Sequence, residues 1–299
     1  MNTQDSQYWI DLLQRDTGLF NEAIQNIPVG DRKMLRGAVL RNLDLREAAI
    51  DRCDLSFSDL SGSAVNGLAL SRCRLEKTKL DGVQIEGDYW TAVLKQIVML
   101  WEGGEAWNEF RKNRSLEIME TVDFSGAVLA GTDLSGMIFT SADFSGASFK
   151  NSHIDHSSFL GADMRNADLS DMQMAYVDMA ETNLAGAVFK NSAIRISSFQ
   201  RAKISNAFFA GVRMENCNCN DVVINATDFS GAGLHTNLFY ESDLQNLDFS
   251  NAVIENCKFL AAKITGTRFL NASMSANDFT SAIIRDSSFS EEQLKHNQF

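Results

Sequence analysis

Three regularities mark residues 122–289 as a mainly β solenoid wound in four-sided coils. The first is an apolar period of five: Phe124, Leu129, Leu134, Phe139, Phe144, Phe149, Ile154, Phe159, Met164 and Leu169, continuing to Phe289 with Cys219 as one soft position. That spacing fits neither a helix at 3.6 nor a flat strand at 2. It fits a chain that turns a corner every five residues and sends two of the five inward. The second regularity is a small residue two places before each apolar centre, as at Ala127, Thr132, Ala142, Ala147, Ser152 and Ala162. The third appears when the centres are sorted at a spacing of 20. One column then holds Phe189, Phe209, Phe229, Phe249 and Phe269, and the column two sides away holds Phe199, Phe239, Phe259 and Phe279. Aliphatic columns such as Ile154, Met174, Ile194, Met214 and Leu234 lie between them. Only a coil of about 20 residues sets like above like and fills a continuous close-packed core.

The position two after each centre is rich in Gly and Asn (Gly126, Gly131, Gly146, Asn151, Asn166, Asn191), residue types that tolerate positive φ at a corner. The repeated unit stands as Ala142-Asp143-Phe144-Ser145-Gly146, Ala162-Asp163-Met164-Arg165-Asn166 and Ala167-Asp168-Leu169-Ser170-Asp171. These units, with a second stretch at 33–87, resemble the pentapeptide-repeat family and its motif A(D/N)LXX over roughly three quarters of the chain. The resemblance implies a right-handed, quadrilateral β-helix with one pentapeptide per side.

Taken in order, residues 1–32 are expected to form an N-terminal helical cap. Tyr8, Trp9, Leu12, Leu13, Phe20, Ala23, Ile24 and Ile27 make one apolar side, with a break expected at Gly18 and a stop at Pro28. Such a segment would cover the unpaired edge of the first coil. Residues 33–87 form the first repeat block, with centres from Leu35 through Leu55, Leu60, Val65 and Leu70 to Ile85 and no Phe among them. Arg36, Arg41 and Arg46 follow three successive centres, as ordinary solvated surface or, alternatively, as a basic collar for an acidic partner. Residues 88–121 break the period and read as a helical insertion. A helix through Trp90, Val93, Leu94, Ile97, Val98 and Trp101 ends at Gly103-Gly104, and a second runs from about Glu105 to Arg114 with Trp107 and Phe110 on one side. Residues 122–299 are the second repeat block, closed by a short C-terminal cap over Ser290–Phe299.

Composition narrows the function. The net charge is −12, and most of it falls on residues 122–299, opposite in sign to what direct nucleic-acid binding needs. There is no apolar run long enough to span a membrane, and Met1 to Asp11 lacks the basic and apolar regions of a secretory signal. The five cysteines (Cys53, Cys73, Cys217, Cys219, Cys257) all take inward positions and read as buried reduced thiols. A bacterial cytoplasmic setting is expected, with a secreted effector as the alternative. Cys217 and Cys219 resemble half a metal site, but no second pair or His partner stands nearby. The four histidines (His153, His156, His235, His296) take outward or tail positions, and no nucleophile–base grouping or phosphate-cradling Gly loop is apparent. No enzyme, no cofactor and no metal are expected.

Two function classes remain. The first is a non-enzymatic protein-binding scaffold: a stiff rod whose tryptophan-rich insert recognises a protein partner, or a second copy as a homodimer. Trp90, Trp101, Trp107 and Phe110 are its candidate contact residues, because Trp dominates binding hot spots. The alternative follows from the resemblance. Family members that protect DNA gyrase or topoisomerase IV from quinolones act as acidic DNA mimics, and here Asp123, Asp143 and Asp163 would form the acidic face. Those members dimerise through an apolar C-terminal helix and carry no such insert, so the scaffold ranks first. A further corner column of His156, Tyr176 and Ile196 reads as a small apolar strip, incidental rather than functional.

Overall fold

The computed structural model describes residues 6–85, 88–112 and 118–299, and the chain divides into two compact units, Met1–Ala127 and Val128–Phe299. In the second unit the 20-residue coil predicted from the columns is the register of the backbone. Ile194 pairs with Met214, Met214 with Leu234 and Leu234 with Ile254, all in parallel. One side of the coil forms a six-stranded sheet from Gln173–Ala175 to Ser273–Ser275, and the side opposite forms a five-stranded sheet from Lys203–Ser205 to Ile283–Arg285. The other two sides hold single bridges in the same register, such as Ser158↔Asp178 and Val188↔Phe208.

The core follows from that register. Phe189, Phe209, Phe229 and Phe249 stack at 4.6, 4.8 and 5.0 Å between successive ring centroids. Phe239, Phe259 and Phe279 stack at 4.9 and 4.8 Å. These spacings match the distance between neighbouring strands, so each ring repeats its orientation coil after coil. The small inward positions carry the polar accounting. Ser192 Oγ donates to Leu169 O at 2.6 Å, and Ser242 Oγ donates to Cys219 O at 2.8 Å. Asn237, fully buried, bridges two coils: its Nδ2 donates to Met214 O at 3.0 Å and its Oδ1 accepts from Cys217 N at 2.9 Å. Asn237→Ala strands both backbone groups away from water and is expected to cost about 2–3 kcal/mol, measurable as a lower urea midpoint. An unchanged midpoint would show that the coil closes these groups in another way.

In the first unit the repeats are shorter-stranded, and the bore is aliphatic as expected, with Leu35, Leu40, Leu55, Leu60 and Val65 fully buried. Two helices, α1 (Ser6–Arg15) and α2 (Thr17–Ile24), lie against its first coil. Gln14 Nε2 donates to Val39 O at 3.1 Å, and Asn21 donates to Glu47 O at 2.8 Å while accepting from Ala49 N at 2.7 Å. The helix break falls at Asp16 rather than Gly18, because Asp16 caps α2 by accepting from Leu19 N at 3.0 Å. Tyr8, expected on the apolar side, is exposed.

A second departure is at Leu70. Its pentapeptide is replaced by a short helix, α3 (Gly67–Ser71), capped by Asn66, which accepts from Ala69 N at 3.1 Å. Leu68-Ala69-Leu70 has strong helix propensity and no β-branched residue, and Leu70 still reaches the core. The insertion forms α4 (Asp88–Glu102) and α5 (Gly104–Arg111). The expected end of the second helix near Arg114 lies outside the described residues. At the other end, α6 (Glu291–Lys295) starts with a Ser290–Gln293 capping box. The buried Gln293 donates to Phe269 O at 3.0 Å and Ala272 O at 2.9 Å, covering backbone of the last coils. Among the described residues no helix is long and apolar enough to cross a membrane.

Candidate functional site

The structure does not gather the insert's tryptophans into one surface. Trp107 is fully buried, with its ring stacked on Phe110 at 5.9 Å. Trp101 is half-buried, 5.9 Å from the Phe124 ring, with the Arg74 guanidinium 5.4 Å away. Trp90, also half-buried, lies against Gly67, where an added Cβ would come within 2.6 Å of Trp90 Cβ. With Val93, Leu94, Ile97 and Leu100 buried on the same helix, each tryptophan serves a separate internal contact of the first unit. The expectation of a shared contact surface is corrected for Trp107 in particular: a side chain with no exposure cannot meet a partner while the insert stays folded.

The acidic positions are likewise divided. Asp143 and Asp163 are register partners in adjacent coils, whereas Asp123 belongs to the first unit. Each turns one oxygen back to the amide two residues on: Ser125 N to Asp123 at 2.8 Å, Ser145 N to Asp143 at 2.8 Å and Arg165 N to Asp163 at 3.1 Å. Asp168, Asp228 and Asp248 repeat the motif with Ser170, Ser230 and Ser250. The Asp of this repeat is therefore a turn residue, bonding locally in place of water. Arg165 closes on Asp163 at 2.6 Å, which further reduces the negative field there.

The arginines of the first block are also neutralised. Arg36 pairs with Asp54 at 3.1 Å, Arg41 with Asp59 at 2.6 Å and Arg46 with Asp44 at 2.6 Å. The hydrogen bond from Arg41 holds the Asp59 carboxyl well below the usual carboxylate range, and Arg46 lowers Asp44 to about 2. This distribution of charge leaves solvated surface rather than a basic collar.

Surface of a different kind lies in the second unit, along the six-stranded side and its following corner. His156 and Tyr176 stack in parallel, 4.7 Å between ring centroids and 4° between planes, and Ile196 continues the column. Tyr176 is 51% exposed and Ile196 48%. All three adopt left-handed backbone, at φ 61°, 59° and 49°. Ten of the other positive-φ residues are Asn, and Ile196 is the one Ile or Val among the described residues to take this conformation. A β-branched residue there is uncommon, and Thr121 and Thr236 are the other two among the described residues. Beside the strip is a hollow of roughly 390 Å³, lined by Ala175, Ala193, Arg195, Arg213, Glu215 and His235 among others. Asp155 on its rim accepts from Ala175 N at 2.8 Å, and His235 Nδ1 lies 3.2 Å from Glu255.

Arg195 and Arg213 carry no mark in a five-residue reading. The signal was available: sorting the outward positions at 20, as was done for the core, sets Arg213 between Ala193 and Gly233, and Arg195 beside Ala175. Among the described residues no group of His, Cys, Asp and Glu is placed to hold a metal ion.

A model of pentapeptide repeats matches the chain in eight copies, over residues 35–67 and 120–191. No curated protein sequence matches it. Among solved structures, the chain is similar to HetL, a pentapeptide repeat protein involved in heterocyst differentiation regulation from the cyanobacterium Nostoc. That similarity has 16% identity and a TM-score of 0.39 and covers 85% of this chain and 86% of HetL. It is also similar to QnrB1, a plasmid-mediated fluoroquinolone resistance protein, at 16% identity and TM-score 0.30, over 59% of this chain and 90% of that one. Rfr23, from the cyanobacterium Cyanothece, shares 12% identity at TM-score 0.18, over 39% and 63%. The matched repeats recur in the 20-residue register seen in the backbone, so residues 35–67 and 120–191 are pentapeptide repeats.

Proposed function

We propose that this protein is a non-enzymatic protein-binding scaffold whose contact surface is the His156–Tyr176–Ile196 strip, rather than the tryptophans of its insert. The observation that carries the reading is Ile196. An L-residue in left-handed backbone costs about 1–2 kcal/mol; the corner before, Asn191, and the register neighbour in the next coil, Asn216, carry the residue type that tolerates it, whereas Ile196, like Tyr176 and Arg201, does not. About half of the Ile196 side chain stays in water next to the stacked aromatic rings, on a backbone that disfavours it. Strain of this kind is characteristic of contact sites, and exposed Tyr beside an aliphatic residue has the composition of a binding hot spot. The stiff coil beneath holds the three side chains in fixed positions, which lowers the entropic cost of binding. The acidic-mimic reading, with DNA gyrase as partner, has less support, because the carboxylates it needs are committed to their own turns.

Ile196→Asn is expected to raise stability by about 1 kcal/mol, since Asn tolerates the left-handed corner, and to weaken binding at the same time. A photo-crosslinking residue at 176 in the living cell should yield a discrete protein adduct that Ile196→Asn suppresses. The same residue at the exposed Lys190 position should give none. Equal adducts at both positions, or a less stable Asn variant, would remove the basis for this site.

A further inference from the structure

We infer that the partner presents an acidic residue beside an apolar one in an extended segment, the carboxylate binding between Arg195 and Arg213. The inference rests on the strip being the contact surface. Arg195 immediately precedes Ile196 in the chain, and Arg213 is in the next coil, paired in register with Ala193. Each coil adds one strand spacing of about 4.8 Å, so both guanidiniums are within reach of a short peptide covering Tyr176 and Ile196.

Both guanidiniums have their donors to spare. Neither forms an ion pair or a side-chain hydrogen bond among the described residues, although Glu215 is the register neighbour of Arg195. A guanidinium carries five N–H donors in a planar fork suited to a carboxylate. Three of the four neighbours in register are small, Ala175 beside Arg195 and Ala193 and Gly233 on either side of Arg213, and the fourth is Glu215 beside Arg195. The small neighbours leave the hollow of roughly 390 Å³ open beside both arginines, room for a carboxylate to approach the forks.

The hollow also limits which anion fits. Asp155 and Glu215 line it, and the His235–Glu255 pair borders it. A polyanion such as duplex DNA would bring phosphates against these carboxylates at every step, whereas a single Asp or Glu side chain meets the two arginines and stops. An extended segment alternates its side chains and rises about 3.3 Å per residue. The acidic residue should therefore lie within two or three positions of the aromatic or aliphatic residue that covers Tyr176 and Ile196. The recognition is bipartite, with apolar contact on the strip and charge-assisted hydrogen bonds in the hollow.

The test uses the whole purified chain and a random-sequence peptide library displayed on phage, followed by fluorescence anisotropy of the enriched peptides. The expected enrichment is for peptides that pair Asp or Glu with a nearby aromatic or aliphatic residue. Their affinity should fall about tenfold or more in Arg195→Ala and in Arg213→Ala, weaken with added salt, and fall in Ile196→Asn as well. Both arginines are exposed, so circular dichroism of the alanine variants should match the parent. Peptides that depend on Ile196 but lack acidic residues, or that ignore both arginine variants, would overturn the inference and leave the scaffold reading standing. No enrichment, or peptides indifferent to Ile196→Asn, would overturn both. Displacement of the peptides by duplex DNA at equal charge concentration would overturn the single-carboxylate assignment.

Discussion

Trp107→Ala is expected to lower the stability of the first unit by about 3–5 kcal/mol, the cost of emptying the largest kind of buried side chain. Trp107 has no exposed surface and stacks on Phe110 within the eight-residue α5. A helix that short is not stable in water by itself, so α5 depends on the docking of its buried tryptophan. The loss should appear as a lower midpoint of urea unfolding and as faster amide exchange through α5 and the facing turns of α4. Binding of strip-dependent peptides by the second unit should be unchanged at temperatures where the variant is folded. The opposite pattern, unchanged stability with lost binding, would restore Trp107 as a contact residue. Trp90→Ala should cost less, because Trp90 is only half-buried and the space opposite Gly67 can be refilled by neighbours.

Most of the architecture was legible because one physical requirement repeats. A coil must bury its centre and its small inward position, so the five-residue period and the 20-residue columns are imposed on the sequence at every turn. Leu70 shows where that reading fails. The centre is kept, but Asn66 and the Leu68-Ala69-Leu70 segment favour a helix, and a period of five cannot distinguish a helical turn from a corner if both deliver the same leucine inward. The insert shows a second limit. A helical face can be read from spacing, yet which neighbour each tryptophan meets depends on tertiary packing, and here packing consumed the residues whose type suggested binding. Outward positions are harder still. The core does not constrain Arg195 and Arg213, so nothing in their local pattern distinguishes them from other solvated charges. Ile196 was visible as an apolar residue at a corner, but its meaning depends on a backbone angle of +49° that the sequence implies only through the Asn and Gly found at equivalent corners.

Alkaline pH is expected to destabilise the protein through its cysteines, which are all free and buried. Burial pushes the Cys53 thiol up to about 12 and the Cys217 and Cys257 thiols up to about 11, and it raises Cys73 and Cys219 well above the ordinary thiol range. The sign follows from proton counting. Below about pH 8.5, the ordinary thiol value, folded and unfolded chains both keep these protons, and no stability is lost. Above it the unfolded chain releases them while the folded chain retains them, so unfolding becomes more favourable as pH rises. The slope is roughly 1.4 kcal/mol per pH unit for each thiol, and it persists until the folded value is reached. Cys217, Cys219 and Cys257 lie together in the second unit, where their sum of about 4 kcal/mol per unit is large against a total stability of about 5–15 kcal/mol. The measurement is the urea midpoint at increasing pH for the parent and for the double variant Cys217→Ala, Cys257→Ala. Alanine is an ordinary occupant of those inward positions, as at Ala187 and Ala202, so the variant should fold at neutral pH. Its decline above about pH 9 should be shallower than the parent's by about 3 kcal/mol per pH unit, while the titration of lysines and tyrosines cancels between the two. Parallel declines would mean that the two thiols titrate in the folded chain, which requires the coil to open locally around Cys217 and Cys257 before it unfolds as a whole.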